Sequence, residues 1–91
     1  MINNNKDGES RSQNPFEIIE EQFKDFNDIS VRLTDIDNNY AVFSKDMYAE
    51  LYKCVDGKWL LDIDELLIDS PTKIKNVSSA FSKALENLNK C

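Results

Sequence analysis

The residue types that most often do chemistry are sparse in this chain. There is no histidine, which removes the commonest general base, the usual transition-metal ligand and the side chain that switches charge near neutral pH. No histidine base accompanies Cys54 to draw out a thiolate, so this residue reads as a small apolar side chain. Cys91, the final residue, reads as exposed, and two cysteines cannot build a disulfide framework. Carboxylates are plentiful, and a pair of them can work as acid and base or nucleophile. Such a pair needs a substrate cleft, which a small sheet of short strands leaves little room for. The expectation is a protein without catalytic residues or cofactor.

One spacing invites a metal. Asp35-x-Asp37-x-Asn39 resembles the first three ligand positions of an EF-hand calcium loop, with Val42 at its hydrophobic position and Asp46 at its last. That resemblance implies calcium held between Asp35 and Asp46. The sequence departs from the pattern at the sixth position, where the sharp turn takes glycine and this chain has Tyr40. The residues before it, Ile29 to Leu33, alternate like a strand where an EF-hand has a helix. The residues themselves read as a hairpin turn rich in Asp and Asn, and no metal ligand is assigned.

The charge is more informative. The 91 residues carry a formal net charge of −6, unevenly spread. Residues 15–70 hold 14 carboxylates against Lys24, Arg32, Lys45, Lys53 and Lys58, a net −9. Residues 71–91 hold Lys73, Lys75, Lys83 and Lys90 against Glu86, a net +3. Phosphate recognition takes clustered Lys and Arg, so direct nucleic-acid binding is not expected. Met1 to Gly8 is asparagine-rich without the apolar run of a signal peptide. No stretch approaches the roughly 20 apolar residues of a membrane span, so a cytoplasmic protein with no membrane partner is expected.

The elements that must position any functional surface can be read from spacing. Residues 1–13 are polar and aperiodic and read as a disordered tail before a single domain over 14–91. Asn14, Pro15 and Glu17 have the chemistry of a helix start. Phe16, Ile19, Phe23 and Phe26 then form one apolar stripe of about three turns. Ile29 to Thr34 alternates as a strand with Ile29, Val31 and Leu33 inward. Asp37-Asn38-Asn39 supplies a turn, and Tyr40 to Phe43 returns as a strand. Met47 to Val55 suits either a helix or a strand. The Asp56-Gly57 turn signal between apolar flanks favours the strand, with Trp59, Leu61 and Ile63 on one side of its partner. Leu66 to Ile68 either extend that partner or form a helical turn. Ser70 and Pro71 start a last helix whose stripe is Ile74, Val77, Phe81, Leu85 and Leu88. The assembly is an α+β fold: an N-terminal helix, a four-stranded antiparallel meander and a C-terminal helix packed on one sheet face. The opposite face stays free, with Tyr48 and Tyr52 at alternate positions on it.

Residues 48–63, with their Asp56-Gly57-Lys58-Trp59 turn, resemble the final hairpin of NTF2-like domains. The chain departs from that family by lacking its long helical layer and by adding a helix after the last strand. No ligand pocket is carried over.

What remains is a surface for protein. Asp62, Asp64, Glu65 and Asp69 cluster near the end of the sheet, close to Tyr48, Tyr52 and Trp59. Carboxylates steer encounter and set register, while aromatic side chains serve as anchors. Strand alternation places Trp59 equally well in the core. The function this suggests is an inhibitor or immunity-type module that occludes the groove of a basic, nucleic-acid-handling protein. The alternatives are a self-associating module, a homodimer in its simplest form, and a weak calcium binder through the Asp35–Asp46 loop.

Overall fold

The computed structural model describes residues 14–36 and 38–90. The segment 1–13, read above as a tail, lies outside the described residues, as do Asp37 and Cys91. Helix α1 spans Pro15–Phe23, β1 Ser30–Leu33, β2 Asn39–Ser44, β3 Met47–Lys53, β4 Trp59–Leu66 and α2 Pro71–Leu88. The sheet order is β1-β2-β3-β4, with every neighbouring pair antiparallel. The α+β meander between two helices is therefore the fold.

Both helices begin as their cap residues direct. The Asn14 side chain accepts from the Glu17 amide at 2.9 Å, and the Ser70 hydroxyl accepts from the Lys73 amide at 3.2 Å. Each cap satisfies an amide that has no partner within the first helical turn. Pro15 and Pro71 follow at the first helical position, where the missing N–H costs nothing. Helix α1 stops at Phe23, short of the expected Phe26. Phe26 still packs on the core, its amide donating to the Phe23 carbonyl at 3.0 Å and its ring lying 5.7 Å from that of Phe23.

The core lies between one face of the sheet and the two helices. Tyr40, Val42, Met47, Ala49, Leu51 and Trp59 meet Ile19 and Phe23 of α1 and Val77, Ala80, Phe81, Ala84 and Leu88 of α2. Phe23 and Phe81 stand edge to face with centroids 4.9 Å apart, joining the helices. Lys73, which sits unfavourably at the positive end of α2, instead pairs with Asp28 in the connection between α1 and β1. That hydrogen bond holds the Asp28 carboxyl below its ordinary range.

Two local features depart from the sequence reading. Leu33 was expected inside and is 56% exposed. Its side chain shares the inner face with its partner Tyr40, but it ends a four-residue edge strand. The second lies in β4, which extends to Leu66 as one of the two readings of that segment had it, but with its alternation broken on the way. Tyr48 is opposite Glu65 and Ala49 is opposite Ile63, so Asp64 is the extra residue of a β-bulge. The bulge resets the alternation, placing Leu66 opposite Met47.

The expected hairpin forms between β3 and β4. Its loop is Val55-Asp56-Gly57, closed by Cys54 N–H to Lys58 O at 2.9 Å and Gly57 N–H to Cys54 O at 2.9 Å. Gly57 has φ 90°, the left-handed conformation that three-residue loops place at their last position. Asp56 accepts from the Lys58 amide at 3.0 Å. In the β1–β2 turn, Asn38 takes φ 61°, the conformation Asn tolerates best after glycine.

Candidate functional site

Antiparallel partners point to the same side of a sheet, so the register defines the face that the helices leave uncovered. One row across it is Ser30, Phe43, Tyr48 and Glu65. The next is Arg32, Ala41, Glu50 and Asp62. Asn39, Tyr52 and Leu60 form a third. Ala41 is fully buried yet stands apart from the core that includes the helices. The larger side chains around it on this face supply its cover.

The face is an aromatic patch bordered by charge. Phe43 and Tyr48 are cross-strand partners with ring centroids 6.4 Å apart, and the Arg32 guanidinium lies 5.1 Å from the Phe43 centroid. The Tyr48 hydroxyl donates to the Glu50 carboxylate at 3.0 Å. Phe43, Tyr48, Glu50 and Tyr52 are half-buried, whereas Asp62 and Glu65 on the next strand are exposed. Rings held by their neighbours and carboxylates open to solvent suit association with a cationic surface, since little side-chain freedom remains to be lost on contact.

The Tyr48–Glu50 contact has a measurable consequence. The hydrogen bond to Glu50, with burial as a smaller cause, raises the Tyr48 phenol above its ordinary 10.0. The folded chain thus holds this proton more tightly than the unfolded chain. The stabilisation it gives is full below pH 10.0 and is lost as pH rises through the higher folded value. In an ultraviolet titration the Tyr48 phenol should ionise late, and Glu50→Gln should bring it back toward the ordinary range. An unchanged curve in that variant would contradict the contact.

Of the seven residues singled out from the sequence, the sheet brings Tyr48, Tyr52, Asp62 and Glu65 onto this one face. Asp64 stands beside them in the bulge, exposed. Asp69 is exposed but lies beyond β4, next to the Ser70 cap and off the face. Trp59 must be removed from the surface: it is 4% exposed, on the inner face, with its ring 6.0 Å from Tyr40. Strand alternation put it there, because Trp59 pairs with Lys53 two residues beyond the inward Leu51–Leu61 pair. Phe43, Glu50 and Arg32 belong to the patch and were not singled out. Their signal was the pairing of the two strands on either side of residues 44–47, which aligns Phe43 with Tyr48.

The Asp35–Asp46 spacing does not come together as one loop. Asp35 lies in the β1–β2 turn and Asp46 in the β2–β3 turn, at opposite ends of the six-residue β2. A strand of that length separates its ends by about 17–20 Å. Among the described residues, no group of three or more His, Cys, Asp or Glu side chains is placed to hold a metal ion. Among them, too, no helix is long and apolar enough to cross a membrane. No protein-family model matches the chain, and no curated protein or solved structure does so either.

Proposed function

We propose that this chain is an acidic protein-binding module that inhibits a basic, nucleic-acid-handling protein by covering its phosphate-binding groove, as an immunity-type protein would. The observation that carries this reading is the helix-free sheet face, where Phe43, Tyr48 and Tyr52 adjoin Glu50, Asp62 and Glu65. A groove built for phosphates presents Lys and Arg at spacings that a row of carboxylates can satisfy. The aromatic rings then exclude water from the centre of the contact. The body's net −9 over residues 15–70 draws such a partner in from beyond contact distance, and the attraction weakens as salt shortens the Debye length.

The test is affinity capture from a lysate of the source on the immobilised full-length chain, washed at low and then high salt. The expected result is one basic protein held at low salt and released at high salt. Its nucleic-acid binding or cleavage should stop when one equivalent of this chain is added. Retention of nothing but further copies of the chain would overturn the reading in favour of self-association.

A further inference from the structure

Of the two edge strands β4 is the longer, and its outer edge is only partly closed. At Trp59 the peptide N–H donates to Asn89 Oδ1 at 2.8 Å, and Asn89 Nδ2 donates to the Trp59 carbonyl at 3.2 Å. The Asn89 amide therefore pairs with this edge as a neighbouring strand would. Peptide groups along an antiparallel strand alternate between its two sides. Up to the bulge that begins after Ile63, the Leu61 N–H and C=O and the Ile63 N–H are consequently on the same open side as the Trp59 peptide groups, beyond the reach of Asn89.

Beneath this stretch runs an apolar groove between β4 and α2. It measures about 200 Å3 and is lined by Leu61, Ile63, Leu66, Val77, Phe81 and Leu85, with Ser78 and Ser82 at its rim. Ile63 is 45% exposed, Leu66 39% and Leu67 66%. On the other side of the same strand Asp62 and Glu65 project onto the free face, with Asp64 at the bulge. An incoming strand would thus meet apolar surface with one set of alternate residues and carboxylates with the other.

We infer that the open edge of β4 binds an extended segment of a partner protein in which apolar residues alternate with Lys or Arg. This rests on the reading of the chain as a binder of a basic protein and names how that partner is held. Residues opposite Leu61 and Ile63 bond to their peptide groups and turn their side chains into the groove. Residues opposite Asp62 turn toward the carboxylates. Main-chain bonds give the affinity and alternate side chains the specificity, as in other strand additions. A second copy fits this edge poorly. Antiparallel pairing of Leu61 with Ile63 of a second β4 sets Asp62 directly opposite its own copy, and like charges there are destabilising. Moving the symmetry axis to Ile63 sets Asp62 against Asp64, and moving it to Leu61 asks for Trp59, whose peptide groups Asn89 already holds.

The probe is the blocked peptide acetyl-Lys-Val-Lys-Val-Lys-Val-Lys-amide, titrated into the isotope-labelled full chain and followed by amide and methyl chemical shifts. Two controls accompany it: the same composition with valines and lysines in separate blocks, and the alternating peptide with N-methylated valines. Expected are saturable shifts at the Leu61 and Ile63 amides and the Leu85 methyls. Binding should be at least tenfold weaker for the N-methylated peptide. The double variant Asp62→Asn, Glu65→Gln should weaken it about threefold to tenfold, as for exposed ion pairs. Shifts confined to Phe43, Tyr48 and Tyr52 would overturn the edge inference and leave the basic-partner reading standing. Equal binding of the block peptide would also overturn it, because charge alone would then suffice. Dilution-dependent shifts at Leu61 and Ile63 without peptide would assign the edge to a second copy. No shift with any peptide would overturn the inference and count against the basic-partner reading as well.

Discussion

Leu51→Ala should destabilise the fold by about 2–5 kcal/mol, the range for deleting a buried leucine side chain. Leu51 is fully buried on β3, an interior strand, between Tyr40 on one side and Leu61 on the other. Backbone hydrogen bonds fix β3 to both neighbours, so the site cannot collapse to fill the space. A domain of this size holds roughly 5–15 kcal/mol in total, and the variant loses a large share of it. Denaturant unfolding should show a lower midpoint with an unchanged slope, because the surface exposed on unfolding is nearly the same. Leu33→Ala serves as the contrast. Its side chain is more than half exposed, and its loss should cost no more than about 0.5 kcal/mol. Similar losses for the two variants would mean that the core does not centre on β3.

The second large effect is kinetic. With the captured partner, the triple variant Asp62→Asn, Asp64→Asn, Glu65→Gln should slow association by about tenfold or more at low salt and flatten its dependence on ionic strength. The substitutions keep size and polarity and remove three exposed carboxylates at and beside the free face. Dissociation should change less, because the aromatic patch remains. A matched control is Glu17→Gln, Glu20→Gln, Glu21→Gln. It removes the same number of negative charges but on α1, the opposite side of the sheet. Equal slowing in the two variants would show that overall charge steers the encounter and that these three positions hold no special place.

The parts of this fold that could be read from the sequence are those set by local chemistry. Asn14-Pro15 and Ser70-Pro71 announce helices because a capping side chain and a proline act within one turn. Gly57 announces a hairpin because few other residues adopt its φ. The strand assignment of Met47–Lys53, where helix propensity pulled the other way, followed from that turn. Tertiary pairing won over the preference of Met, Ala, Glu and Leu. What escaped reading depends on partners distant in sequence. The bulge at Asp64 exists because β4 must match β3 on both sides of it, and no local signal marks the extra residue. Leu33 fits a strand pattern perfectly, yet burial depends on whether anything lies over it. The candidate surface was half legible for the same reason. Tyr48 and Tyr52 share a face by simple alternation, while adding Phe43 and Glu50 requires the register with β2. Trp59 and Leu61 share the inward face by alternation, but recognising Trp59 as core also required knowing that α2 closes over that end of the strand.

The Asn89 amide has an effect beyond capping an edge. Terminal helical turns are ordinarily the first to open and the last to form. Here Asn89, the residue that caps the end of α2, grips the first residue of β4, 30 positions earlier. The chain from Trp59 to Asn89 is thereby a ring closed without a covalent bond, holding one whole strand and one whole helix. Loosening at either end costs the same two hydrogen bonds: fraying of the helix terminus exposes the Trp59 peptide, and opening of the hairpin exposes the Asn89 amide. One side-chain amide thus ties the start of β4 to the end of the helix that follows it.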